Sequence, residues 1–147
     1  MTPFSLRTIE EIISTYPEWS SFISEETYEG GEPYLVVVVP PPDEAGTHLP
    51  LRISTWDDEV TVSFDYYHTH FDEWGPDKSG DELSSARQFV RAVLNEEIAV
   101  ASWWQGEACK ICSQFQQGHS LKPPFKVSCT KVRVRSWRGF HNADHGA

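Results

Sequence analysis

His68 and His70 stand two residues apart in the run Tyr66-Tyr67-His68-Thr69-His70-Phe71-Asp72-Glu73. Alternate side chains of an extended strand share a face, so Tyr66, His68, His70 and Asp72 are expected to continue the row begun by Val60, Val62 and Phe64. Two imidazoles with a carboxylate beyond them are ordinary ligands for zinc and other borderline metals. The same groups can serve as general acid or base, and partly buried histidines bonded to backbone or to Tyr66 give the same pattern with no chemistry at all. With Trp74 just downstream, Tyr66, His68, His70, Asp72 and Trp74 are the candidate ligand- or partner-binding residues. Metal ligation by His68, His70 and Asp72 is the alternative use. No residue is assigned a catalytic role, and no cofactor is expected.

Cys109-Lys110-Ile111-Cys112, with His119 and Cys129 downstream, has the composition of a zinc knuckle. A zinc site needs its thiolates to converge from a turn, and thioredoxin-like chemistry needs the first cysteine at a helix start. This pair falls in a predicted strand, where residues three apart point to opposite faces, so inert thiols are expected. Lys131, Arg133, Arg135 and Trp137 alternate along another predicted strand. Such a row suits phosphates and stacked bases, but a net charge of -10 opposes it, and a solvated or internally salt-bridged face is expected instead. Trp103 and Trp104 point to opposite faces, which predicts one in the core and the other at the rim. The chain has no Gly-X-Gly-X-X-Gly, phosphate loop, His-Glu-X-X-His or Gly-X-Ser-X-Gly, and the commonest nucleotide, zinc-protease and serine-hydrolase readings lose support.

The elements that position these groups follow from periodicity. Leu6, Ile9 and Ile13 predict one face of a first helix, capped by Ser5 or Thr8 and stopped by Pro17. Residues 25–31 read as a loop ending in Gly30-Gly31. Residues 34–39 form a β-branched run without polar alternation, the mark of a strand buried on both faces, and Pro40-Pro41-Pro42 ends it. Leu49, Leu51 and Ile53 alternate with polar residues and Pro50, predicting a strand near an edge. Trp56-Asp57-Asp58-Glu59 turns into a long strand over 60–71. A helix over 81–97 carries the stripe Leu83, Ala86, Phe89, Val90, Val93 and Leu94, with Ser79 and Glu82 in capping-box spacing. Residues 98–104, 108–115 and 126–137 read as further strands. The sum is an α+β fold, a mostly antiparallel sheet of five or six strands with two helices, the longer packed on one face. Residues 1–138 form one domain and 139–147 a flexible tail.

Charge is unevenly distributed: residues 1–107 hold 21 acids and five bases, whereas residues 108–147 hold seven bases and one acid. An acidic chain of this kind matches a basic protein partner and makes nucleic acid an improbable one. Six tryptophans suit an interface as well as a core. The first residues lack the basic start and apolar stretch of a secretory signal, and the odd cysteine count fits a reducing compartment, so a cytoplasmic location is expected. The longest apolar run, residues 34–42, falls far short of the ~20 residues that span a bilayer, so no membrane role is expected.

On residues 59–71, Trp74 and the pair Trp103-Trp104 after an amphipathic helix, the chain resembles small acidic immunity and accessory proteins that bacteria encode beside polymorphic or contact-dependent toxins. The resemblance implies a protein that neutralises a partner enzyme by covering its active site with acidic groups. The alternatives are a metal-dependent or acid-base enzyme using His68, His70 and Asp72, and a small-ligand binder using Tyr66, His68 and His70.

Overall fold

The computed structural model describes residues 1–71 and 82–146, Glu82 by its backbone alone. Among the described residues the fold is α+β and mostly antiparallel sheet, as its sequence predicts. Its elements are α1 (Pro3–Thr15), β1 (Ile23–Glu26), β2 (Tyr34–Val39), β3 (Leu51–Ser54), β4 (Val60–Phe64), β5 (Tyr67–Phe71), α2 (Glu82–Leu94), β6 (Ala99–Gln105), β7 (Ala108–Phe115), β8 (Lys131–Arg135) and β9 (Ala143–Gly146). The strands divide between a five-stranded sheet, in the order β1-β2-β3-β4-β5, and a four-stranded sheet in the order β7-β6-β8-β9. The described residues form two compact units, one of residues 1–40, 50–63, 68–71 and 82–89, the other of residues 41–49, 64–67 and 90–146. No described helix is long and apolar enough to cross a membrane.

In the first unit α1 begins at Thr2, whose hydroxyl accepts from the Ser5 amide at 3.1 Å, while Pro3 occupies the first turn, where its missing N–H costs nothing. The expected caps Ser5 and Thr8 are instead buried on the inward face with Ile9 and Ile12, and Leu6 is exposed. Ser5 explains the rotation: its hydroxyl lies 2.5 Å from Thr55 Oγ1 and accepts from the Leu35 amide at 2.9 Å, so a polar residue holds the helix against β2. β2 is buried on both faces at its centre, with neighbouring Val36 and Val37 fully covered. Part of the predicted loop over 25–31 is strand, since β1 pairs Glu26 with Tyr34 and Ile23 with Val37. β3 lies between β2 and β4 rather than at an edge; Pro50 precedes its first paired residue and removes no ladder hydrogen bond.

Register sorts this sheet into two faces. Paired residues share a face, so Val37, Val39, Leu51, Ile53, Val60 and Val62 form one apolar surface, all of them buried. Glu26, Tyr34, Arg52, Thr61 and Ser63 lie on the other. Among the described residues α1 and α2 have 13 residues each. Along α2, Ala86, Phe89, Val90 and Val93 are buried, as the stripe predicts, and the Phe89 ring lies 6.0 Å from that of Phe71 in β5. The proposed cap at Ser79 lies outside the described residues.

In the second unit one face of the four-stranded sheet buries Ala99, Ala101, Trp103, Val132 and Val134, with Leu121 and Phe115 packed against them. Trp103 Nε1 donates to the Leu121 carbonyl at 3.2 Å, which ties the connection after β7 to this core. Both Trp103 and Trp104 are buried, so neither is the outward anchor that alternation suggests; Trp104 Nε1 donates to Ser102 Oγ at 2.8 Å. The strand expected over 126–137 narrows to β8. Residues 143–146, expected within a flexible tail, pair with β8 from Val134–Ala143 to Lys131–Gly146, held by Arg135 on Asp144.

Candidate functional site

The run read as one strand over 60–71 is a hairpin, because Asp65 and Tyr66 form a two-residue connection between β4 and β5. Asp65 takes φ 52°, a left-handed conformation that aspartate tolerates better than most residues. The chain therefore folds back, and His68 and His70 do not continue the row of Val60, Val62 and Phe64. That row faces the core. β5 alternates half-buried Tyr67, Thr69 and Phe71 with exposed His68 and His70, and a two-residue connection sets Thr61 opposite His70, on the polar face.

There His70 has defined partners. His70 Nδ1 makes a short contact with Glu59 Oε1. The Thr61 hydroxyl donates to the same carboxylate oxygen at 3.0 Å and lies 3.0 Å from His70 Nδ1. A carboxylate at Nδ1 favours the tautomer that carries its proton there, which leaves Nε2 with the free lone pair. The His68 and His70 rings stand 5.1 Å apart between centroids and nearly perpendicular, at 87°. Further across this face Glu26 Oε2 accepts from Arg52 Nη2 at 2.6 Å and from the Tyr34 hydroxyl at 3.1 Å. Burial, then the bond to Glu26, pushes the Tyr34 hydroxyl above its ordinary pKa.

A second feature of the first unit escapes sequence reading. A pocket of about 220 Å³ is lined by Glu32, Tyr34, Trp56, Asp57 and Asp58, among others. Trp56 is 47% exposed and Tyr28 55% exposed, and their rings meet at 5.1 Å in a tilted pair. Asp57 and Asp58 both take left-handed φ, 57° and 54°, a conformation that costs energy in any residue with a Cβ. Thr2 Oγ1 donates to Asp58 Oδ1 at 2.7 Å and holds one of them in place. The signal available in the sequence was a tryptophan directly before two acids in a turn.

Tyr66 belongs to the second unit, and its described contacts lie there. Its ring meets Trp104 edge-on at 4.8 Å and lies 5.6 Å from the Arg133 guanidinium. Arg133 Nη2 also reaches Asp65 Oδ1 at 3.1 Å, and Arg135 binds Asp144 at 2.9 Å. Lys131 sits 5.5 Å above the Trp104 ring. The two arginines of the basic row are thus paired internally, and Lys131 lies over an aromatic ring. The cysteines correct the argument from alternation: a bulge between Trp103 and Trp104 pairs Trp103 with Ile111 but Trp104 with Cys109, and Ser102 pairs with Cys112. Cys109 and Cys112 therefore share a face, because one inserted residue restores the parity that a spacing of three breaks. Burial pushes both thiols above their ordinary pKa, with Asp65 adding to each and Cys109 adding to Cys112. Cys112 Sγ donates to the Tyr66 carbonyl at 2.9 Å.

Of the five candidate residues, then, the structure brings His68 and His70 together, sets Tyr66 in another environment, and Asp72 and Trp74 lie outside the described residues. Among the described residues no group of three or more His, Cys, Asp or Glu is arranged to hold a metal ion. Comparison with protein-family models, with curated proteins and with solved structures found no match to the chain.

Proposed function

We propose that this protein is an acidic binding module for a basic protein partner. The observation that carries the reading is the exposed Tyr28–Trp56 pair beside the pocket lined by Glu32, Asp57 and Asp58. An arginine or lysine side chain entering that pocket gains carboxylate partners and an aromatic face, the two kinds of contact that recognise such cations best. Exposed tryptophan and tyrosine are also the residue types that carry most of the energy at protein interfaces. In the form suggested by the resemblance to bacterial immunity proteins, the partner is a toxin, and this acidic surface covers its basic active site.

Titration of the full chain with an oligo-arginine peptide, followed by calorimetry, tests the reading. Asparagine tolerates the left-handed conformations of Asp57 and Asp58, so D57N/D58N removes charge while sparing the backbone. Binding should weaken roughly tenfold or more in that variant and in Trp56→Ala, as loss of an interface anchor does. Unchanged affinity in both would place any basic partner elsewhere.

A further inference from the structure

We infer that His68 and His70 form a two-imidazole chelate for a borderline divalent cation of the zinc class, with Glu59 as the outer carboxylate that orients His70. Both rings are exposed on β5, two residues apart, on the same face of a strand at the end of its sheet. The geometry suits one shared ion. A nitrogen ligand sits ~2.0–2.1 Å from zinc and about 1.1 Å in front of its ring centroid, so two imidazoles on one tetrahedral ion have centroids roughly 5.2 Å apart. The observed separation is 5.1 Å. Rotation about each metal–nitrogen bond leaves the ring planes free, so the 87° angle between them is compatible with a common ion.

The second argument is the hydrogen bonding around His70. Metal-bound histidines characteristically give their other ring nitrogen to a carboxylate, which fixes the tautomer and raises the basicity of the ligating atom. His70 has this arrangement, with Nδ1 on Glu59 and with Thr61 bonded to the same carboxylate oxygen. Nε2 is then the ligand atom. Two protein ligands leave the remaining positions to water, and imidazole donors select zinc, copper or nickel over magnesium or calcium. Asp72, the next residue along the chain's alternation, lies outside the described residues and is no part of the inference.

The site is independent of the basic-partner reading, and its test needs no partner. Calorimetric titration of chelator-treated full chain with zinc chloride should show saturable binding of one ion, with copper binding more tightly and magnesium not at all. His68→Ala and His70→Ala should each abolish that binding; both positions are exposed, so the fold should survive, as unchanged near-ultraviolet circular dichroism would show. Glu59→Gln should weaken it ~10-fold, the usual effect of losing an outer carboxylate. Absence of saturable binding, or binding that persists in H68A/H70A, overturns the chelate; unchanged affinity in Glu59→Gln overturns the role given to Glu59.

Discussion

Arg133 Nη2 stands 3.1 Å from Asp65 Oδ1, and the Asp65 side chain has no exposed surface. Thr47 donates to the same oxygen at 2.8 Å, while Oδ2 is buried with no hydrogen-bond partner among the described residues. The guanidinium is thus the compensation for a carboxylate held inside the second unit at the hairpin connection. Removing one partner of such a pair costs more than the pair contributes, because the other is left buried and uncompensated.

Arg133→Met should therefore destabilise the protein by about 3–5 kcal/mol in urea unfolding. Adding Asp65→Asn should recover a substantial part of that loss, since asparagine removes the stranded charge and accepts the left-handed φ of position 65. A double variant no more stable than Arg133→Met would show that the contact is not electrostatic in origin.

Phe89→Ala should cost about 3–5 kcal/mol, the range for deleting a buried ring. Phe89 is 7% exposed and its ring meets Phe71. Chemical denaturation measures this directly, and a near-neutral result would mean that the ring is not part of the core.

Cys109 and Cys112 should react with Ellman's reagent at mildly alkaline pH more slowly than free glutathione does, because the thiolate is the reactive form and burial disfavours it. The same shifts have a stability consequence. A thiol whose folded pKa is raised contributes stability that is complete below the unfolded pKa and is lost as pH rises through the folded one. Replacing both by Ala should flatten the alkaline side of the stability profile while leaving its neutral region nearly unchanged.

Asp144 has the opposite sign. The hydrogen bond from Arg135 is the main cause holding its carboxyl below the ordinary carboxylate range, against a smaller effect of burial. Its contribution is present above the unfolded carboxylate pKa and is lost as pH falls through the folded value. Asp144→Asn should make stability less steep in acid and leave amides of β9 faster to exchange, a difference hydrogen exchange can read.

Legibility from sequence followed the range of the deciding forces. β2 was readable because its covered faces need no partner to be recognised: a β-branched run bounded by three prolines has few other fates. The α2 stripe was readable for the same reason. α1 was misread by one face, since hydrophobicity favours Leu6 over Ser5, and only the distant Thr55 and Leu35 make Ser5 an inward residue. The connection at Asp65-Tyr66 has no glycine or proline, and what holds it, Arg133 and Thr47, is supplied from far along the chain. Alternation therefore ran through it and misplaced His68 and His70. The bulge opposite Trp103 and Trp104 is likewise a property of pairing, invisible to any rule that counts along a single strand.

The neutralised arginines bear on how this molecule is approached. Arg133 and Arg135 each sit at contact distance from a carboxylate, and opposite charges that close cancel one another when viewed from a Debye length away, ~8 Å at physiological ionic strength. The far field is then set mainly by the excess of acids over bases in residues 1–107, 21 against five, and these two arginines add little to it. Encounter with a cationic surface is accelerated at a distance, and the advantage falls as salt is added.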